Sequence, residues 1–376
     1  MTSTTLFGPL FGADRVDRTL DDAAWIRALL DVEVALSRAA AEHGAVPLAH
    51  AEVIAEAAGD LKIDVDELGA AAVEGGNPVI PLVRLLRSAA GGDAAKAVHP
   101  GATSQDVMDS ALVLLVRRAS EVVLEDLRAA ADAAARLAAA HRDTPMIART
   151  LGQQALPSTF GLVAAGWCAG LDRGRARLRA VVDGLPVQFG GAAGTLAALH
   201  PHGPAVADSL ADALGLARQG VPWHTERTRV GELAGALGVA AGACAKPATD
   251  VVLLAGTELG EVSEAAPGDS SSMPHKRNPI AAVTARASAR RAPGLVATLL
   301  AEMDHEHQRA AGPWHAEWQT LTDLLRATGG AASRLRVCLE GLVVHPDAMA
   351  RNLALTSPAE APHHAGELVD RVLGAR

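Results

Sequence analysis

Between residue 106 and about residue 141 the chain contains neither glycine nor proline. At the rise of an α-helix this stretch predicts a rod of roughly 50 Å, longer than the usual globular helix. Its segment ALVLLV, residues 111–116, is apolar on every side, the pattern of a helix surrounded by other helices. The same reading predicts helices over about 156–182 and 229–263, the second kinked near Pro247. Another follows Asn278, broken at Pro293, and another covers about 315–342. Several long helices with short connections predict an all-α bundle. Strand alternation is not convincing anywhere, and VVDGLPVQFGG offers a short extended piece at most. Residues 1–100 have shorter helical stretches, about 20–43, 51–58, 65–74 and 81–89, punctuated by Gly and Pro. The expected organisation is a small N-terminal helical domain (1–100), a central long-helix domain (101–345) and a short C-terminal segment (346–376) with one or two short helices.

Composition narrows the function classes. The chain has 376 residues, is 49% hydrophobic and carries a net charge of −9. A large core is expected, and the acidic balance argues against nucleic acid or an acidic membrane as partner. A local basic pocket for a small anion stays compatible with it. Cys168, Cys244 and Cys338 are odd in number, far apart and set in apolar stretches, so they are expected as buried thiols of a cytoplasmic protein. The N-terminus lacks the pattern of a signal peptide. The most apolar uncharged stretch, LAGALGVAAGACA from Leu233, is too short to span a bilayer and reads as a tightly packed internal helix.

Polar residues gather in a few places. HPGATSQDVMDS (99–110) precedes the long helix, with Thr103 or Ser104 as its cap. HRDTPMIARTLGQQALPSTFG (141–161) joins two helices and carries Arg149 and Gln153. PWHTERTRVGE (222–232) packs Trp223, His224, Arg227 and Arg229 together, and GDSSSMPHKRNPI (268–280) is polar almost throughout. HEHQRAAGPWHAEW (305–318) holds three histidines. His305 and His307 are two residues apart, which does not set them on one helix face, and no metal site is expected.

In order along the chain, these stretches resemble the fumarase/aspartase superfamily. Ser270, Ser271, Met273, Pro274, Lys276, Asn278 and Pro279 match its loop pattern, with Asp269 standing where the pattern has Gly. Thr103, Ser104 and Asp106, preceded by His99, match a second pattern, and Arg149, Thr150 and Gln153 a third. The likeness covers about residues 5–356. Within the superfamily, these stretches with QFGGAAGTLAAL and WHAEW look most like the bacterial branch that cyclises 3-carboxy-cis,cis-muconate.

The resemblance implies a fumarase/aspartase-like all-α fold, a homotetramer with active sites shared between subunits, and no cofactor. It also implies a small polycarboxylate substrate, converted to a carboxymuconolactone in protocatechuate breakdown. The long apolar rod is then expected to have neighbours from other chains. Such chemistry passes through an aci-carboxylate, which needs preorganised donors and positive charge. The implied catalytic residues are Ser270 for proton exchange, Lys276 for charge stabilisation and His141 as an alternative acid. A helix-terminal histidine bonded to carbonyls is the competing reading of His141. The implied substrate contacts are His99, Thr103, Ser104, Arg149, Gln153, Ser271, Met273, Asn278, His224 and Arg227. Gly268 and Pro267 are expected as hinges of a lid. Many superfamily lyases pair a His two residues after the arginine with a Glu seven beyond the loop lysine; here these positions are Leu151 and Val283. A carboxylate leaving group, with a pKa of about 4, needs no proton there. The same argument admits a lyase expelling another stable anion, such as nitrite from nitrosuccinate, or a cycloisomerase of a sulfonated muconate. A non-catalytic structural relative is the third reading, prompted by the short C-terminal part.

Overall fold

The computed structural model describes residues 6–273, 275–356 and 361–376. Pro274 of the loop pattern and part of the SPAEAP stretch lie outside them. Two short turns, α1 (Gly8–Phe11) and α2 (Asp14–Asp17), precede α3 (Asp22–Glu42), α4 (Leu48–Asp60), α5 (Val65–Gly75) and α6 (Val79–Ala90). Then come α7 (Ser104–Ala140), strands β1 (Pro145–Thr150) and β2 (Gln153–Thr159), α8 (Phe160–Asp183), α9 (Gly203–Leu214) and α10 (Thr228–Leu254). The chain continues through β3 (Val262–Glu264), α11 (Ile280–Ala301), α12 (Pro313–Glu340), β4 (Leu342–Val344), α13 (Pro346–Ala354) and α14 (Ala365–Gly374). Pro247 and Pro293 sit inside α10 and α11, which run on as single helices rather than breaking.

The five long helices α7, α8, α10, α11 and α12 pack into one bundle, and α3 lies against α7. Ala111–Val116 are all buried inside this chain. That corrects the expectation for the rod: α3, α8 and α12 of the same chain cover it. The uncovered faces lie elsewhere. Gly235, Val239, Gly242 and Lys246 on α10 are half-buried or exposed, spaced three and four residues apart, and Leu253 is exposed seven residues further on. On α11, Val283 and Ala287, and then Gly294, Ala297 and Ala301, are exposed, with the exposed Arg290 and Arg291 between the two groups. α10 has the length and apolarity to cross a membrane, but 44% of its most apolar stretch is buried among its neighbours.

The 141–161 stretch is an antiparallel hairpin, not a plain connection. Its two-residue tip, Leu151 and Gly152, has φ of 51° and 77°. Both values are positive, as in the turns that match strand twist. A proline in each strand (Pro145, Pro157) hid it from a reading by strand propensity. β3 pairs with β4 and so ties the segment before the 268–278 loop to the end of α12. The Glu264 carboxylate accepts the Ala281 and Ala282 N–H groups (3.1 and 2.8 Å), capping the start of α11 just beyond the loop.

Candidate active site

At the N-terminus of α7 the Asp106 carboxylate is the centre of a cage. It accepts the N–H groups of Thr103 (3.0 Å), Gly190 and Gly191 (2.9 Å each), and lies 2.6 Å from His224 Nε2. Asp106 is buried, so the cage rigidly joins the helix start bearing Thr103 and Ser104 to the glycine loop and the 222–232 stretch. His224, expected as a substrate contact, is buried in this cage. His99 lies beside it, its Nδ1 2.7 Å from Glu33 Oε1. Burial works against charge on that ring, but the Glu33 carboxylate outweighs it and raises the His99 pKa.

Arg227 requires a correction. Its side chain is fully buried and both its edges are filled. Nη1 and Nη2 donate to Asp109 (2.8 and 3.3 Å), while Nε donates to Glu317 (2.9 Å) and Nη2 makes a further short contact with Glu317. Trp314 Nε1 donates to Asp109 (3.0 Å), and the buried His305 ring is 3.3 Å from Glu317. Arg227 therefore locks α7 to α10 and α12 and presents no donor to a substrate. Arg309, which sequence reasoning passed over among the histidines around it, is half-buried and donates to the Gly191 carbonyl (2.6 Å) beside Thr103 and Ser104. Among the described residues no group of three or more His, Cys, Asp or Glu side chains is arranged to hold a metal ion.

α7 spans 37 residues, roughly 55 Å, and carries the second cluster at its far end. His141 caps that end, its Nδ1 3.1 Å from Thr144 Oγ1 and its ring edge-on to Phe160. Burial lowers its pKa. Arg149, expected to hold an anion, instead donates from both Nη atoms to the buried Glu261 (2.9 and 2.6 Å). Gln153 and Leu151 project into solvent from the hairpin tip.

The 268–278 loop is closed at its neck. Gly268 N–H donates to the Asn278 carbonyl (2.8 Å) and Asn278 N–H to the Gly268 carbonyl (3.0 Å). A side chain at Gly268 would collide with Ile280 at 2.2 Å, so this close approach requires glycine. Asn278 also donates its side-chain amide to the Gly268 carbonyl (3.4 Å). Ser270 Oγ accepts the Met273 N–H (3.2 Å). Ser271, Met273 and Lys276 are exposed, and Lys276, Asn278 and Val283 line one cleft of about 750 Å³ against the end of α10. Within one chain the structure thus groups Lys276 with Asn278, and His99 with Thr103, Ser104 and His224. It leaves the α7 N-terminal cluster and the hairpin cluster at opposite ends of α7.

A bundle of long helices with polar clusters at the two ends of α7 and a necked 268–278 loop is the architecture expected of a lyase of the fumarase/aspartase kind from the motifs it resembles. The chain belongs to that superfamily: the family model described as "Lyase" matches residues 13–294. It is 45% identical to the 3-carboxy-cis,cis-muconate cycloisomerase of Bradyrhizobium diazoefficiens over 93% of this chain and 79% of that one. It is 42% identical to the nitrosuccinate lyase of Streptomyces davaonensis over 98% of this chain and 81% of that one. The solved 3-carboxy-cis,cis-muconate lactonizing enzyme of Pseudomonas putida superposes with a TM-score of 0.90 at 39% identity, covering 99% of this chain and 87% of that one.

Proposed function

We propose that this protein is a cofactor-free cycloisomerase that converts 3-carboxy-cis,cis-muconate to a carboxymuconolactone. A carboxylate oxygen of the substrate bonds to an alkene carbon, and the displaced electron pair drains into a neighbouring carboxylate as an aci-carboxylate. Lys276 and the loop donors stabilise that charge, and the Ser270 hydroxyl delivers a proton to the adjacent carbon. Leu151 with Val283, two apolar side chains where many related lyases hold a proton-handling pair, fits an enzyme whose leaving group needs no proton. A carboxylate attacking or leaving as an anion needs neither member of that pair. The identity to two cycloisomerases, 45% and 46% over 93% of this chain, is the observation that carries the choice among such enzymes.

The reading includes a cytoplasmic homotetramer with shared sites, and it keeps the three-part division at residues 100 and 345. The free, buried cysteines suit a reducing compartment. A helix of roughly 55 Å parts Thr103 from Arg149, so complete sites are assembled by bringing opposite ends of different chains together. The half-buried or exposed small and apolar residues Gly235, Val239 and Gly242 on α10, and Gly294, Ala297 and Ala301 on α11, at three–four spacing, suit close helix packing between subunits.

The test is the loss of diene absorbance when purified protein meets the tricarboxylate. The 42% identical nitrosuccinate lyase favours a second reading, in which nitrite leaves by the same proton-free logic. No loss of diene absorbance together with nitrite release from nitrosuccinate would replace the first reading with the second. Silence in both assays would favour a non-catalytic relative.

A further inference from the structure

We infer that Glu261 is a positioning residue for the active site, and that Arg149 serves it as a strut rather than as a substrate contact. The inference rests on the cycloisomerase reading for its kinetic consequences and on the structure for the rest.

Glu261 is completely buried. A buried carboxylate persists only when paired and hydrogen-bonded. Here the pairing is two-pronged: Arg149 Nη1 donates to Oε2 at 2.9 Å and Nη2 to Oε1 at 2.6 Å. This fork geometry sets direction as well as distance. A third donor, Asn352 Nδ2 of α13, reaches Oε1 at 2.8 Å and also the Leu259 carbonyl at 3.0 Å. The backbone of Glu261 is tied as well, its N–H to the Leu254 carbonyl (2.9 Å) and its carbonyl to the His345 N–H (2.9 Å). One residue thus joins the end of α10, the hairpin and the C-terminal segment.

Arg149 is two residues before Leu151, on the strand that leads into the hairpin tip. The tip itself is held by little: Leu151 is fully exposed with a left-handed φ of 51°, and Gln153 is exposed beside it. Fixing Arg149 is therefore what aims the tip. Both Nη atoms face Glu261, so the guanidinium is committed to a partner inside its own chain. A substrate carboxylate would have to compete with a pre-placed, doubly bonded one.

The experiment uses the full-length wild type, Arg149→Gln, Glu261→Gln and the double variant. It measures kcat, KM, thermal midpoint and hydrogen exchange of the 145–159 hairpin. A strut predicts that the two single variants and the double all lose about a hundredfold in kcat, because residues acting as one unit do not add and small misplacements are costly. KM should change less than about threefold in each. Thermal midpoints should rank differently from activity. Arg149→Gln strands a buried carboxylate and should melt lower, whereas Glu261→Gln frees an arginine that is 20% exposed and reaches water. A role in stability alone would make the activity losses follow the midpoints. Exchange in 145–159 should rise at least about tenfold in both single variants while α7 stays protected. A KM increase of about tenfold or more confined to Arg149→Gln would overturn the inference and return Arg149 to the substrate. Unchanged hairpin exchange would overturn it whatever the substrate proves to be, and absence of wild-type turnover would count against the cycloisomerase reading alone.

Discussion

Replacing Arg227 by methionine separates the two roles that residue has been given. In the structure the side chain is fully buried between Asp109 and Glu317, with His305 3.3 Å from Glu317. Methionine fills much of the same volume but offers no donor, so two carboxylates remain buried around an apolar side chain. Breaking a buried ion pair from one side costs about 3–5 kcal/mol. For 376 residues unfolding as one unit, an unfolding entropy of about 2.1 cal/mol/K per residue gives about 0.8 kcal/mol per degree. The midpoint should therefore fall by about 4–6 °C, measured by calorimetry at matched protomer concentration because association shifts apparent stability. Glu317→Gln, which leaves Arg227 paired with Asp109, should fall by less. At a temperature where both proteins are folded, KM for the tricarboxylate should change little. An unchanged midpoint with KM raised tenfold or more would refute the structural assignment and place Arg227 against the substrate.

Ser270→Ala and Lys276→Ala should each lower turnover by about a hundredfold or more, with melting unchanged because the loop is largely exposed; near-wild-type turnover in both would make the loop structural. Leu151→His with Val283→Glu should slow lactonisation of a trianion rather than speed it. Since Leu151 is fully exposed and Val283 is 42% exposed within the chain, the single variants should fold normally in the monomer, and any penalty should appear in turnover or assembly. A faster double variant would end the leaving-group argument. The His99–Glu33 pair raises the His99 pKa, so its contribution is fully present below the unfolded value near 6.5 and is lost as pH rises through the higher folded value. The stability gap between wild type and His99→Gln should thus be wider at pH 5.5 than at pH 9, and a gap that widens upward in pH would reverse the sign assigned here. Val239→Glu, on the uncovered row of α10, should shift light scattering from the proposed tetramer to smaller species; an assembly unchanged from wild type would exclude that face as an interface.

The longest helix was legible in the sequence because its run has neither Gly nor Pro to interrupt it, and α7 begins within two residues of its expected start. α8, α10, α11 and α12 were legible by their length and apolar content although each carries Gly or Pro. The polar loop was legible because its residues are contiguous and contrast with an apolar chain. What periodicity could not specify was the partner. It marked residues 111–116 as enclosed, yet whether by this chain or another depends on how helices over two hundred residues apart dock, and α12 of the same chain proves to be one of the neighbours. Arg149 and Arg227 looked alike as cations in polar stretches. Tertiary packing set Glu261 against the first, 112 residues away, and Asp109 with Glu317 around the second, 118 and 90 residues away. The hairpin was hidden because its strands carry prolines and its stability comes from Phe160, Glu261 and α13 packed around it rather than from local propensity. The conformation of the long helices follows largely from neighbours along the chain, whereas that of the hairpin does not. Which charges are neutralised, and so which remain for a substrate, is decided only when distant segments meet in a medium where an unpaired charge is too costly to keep.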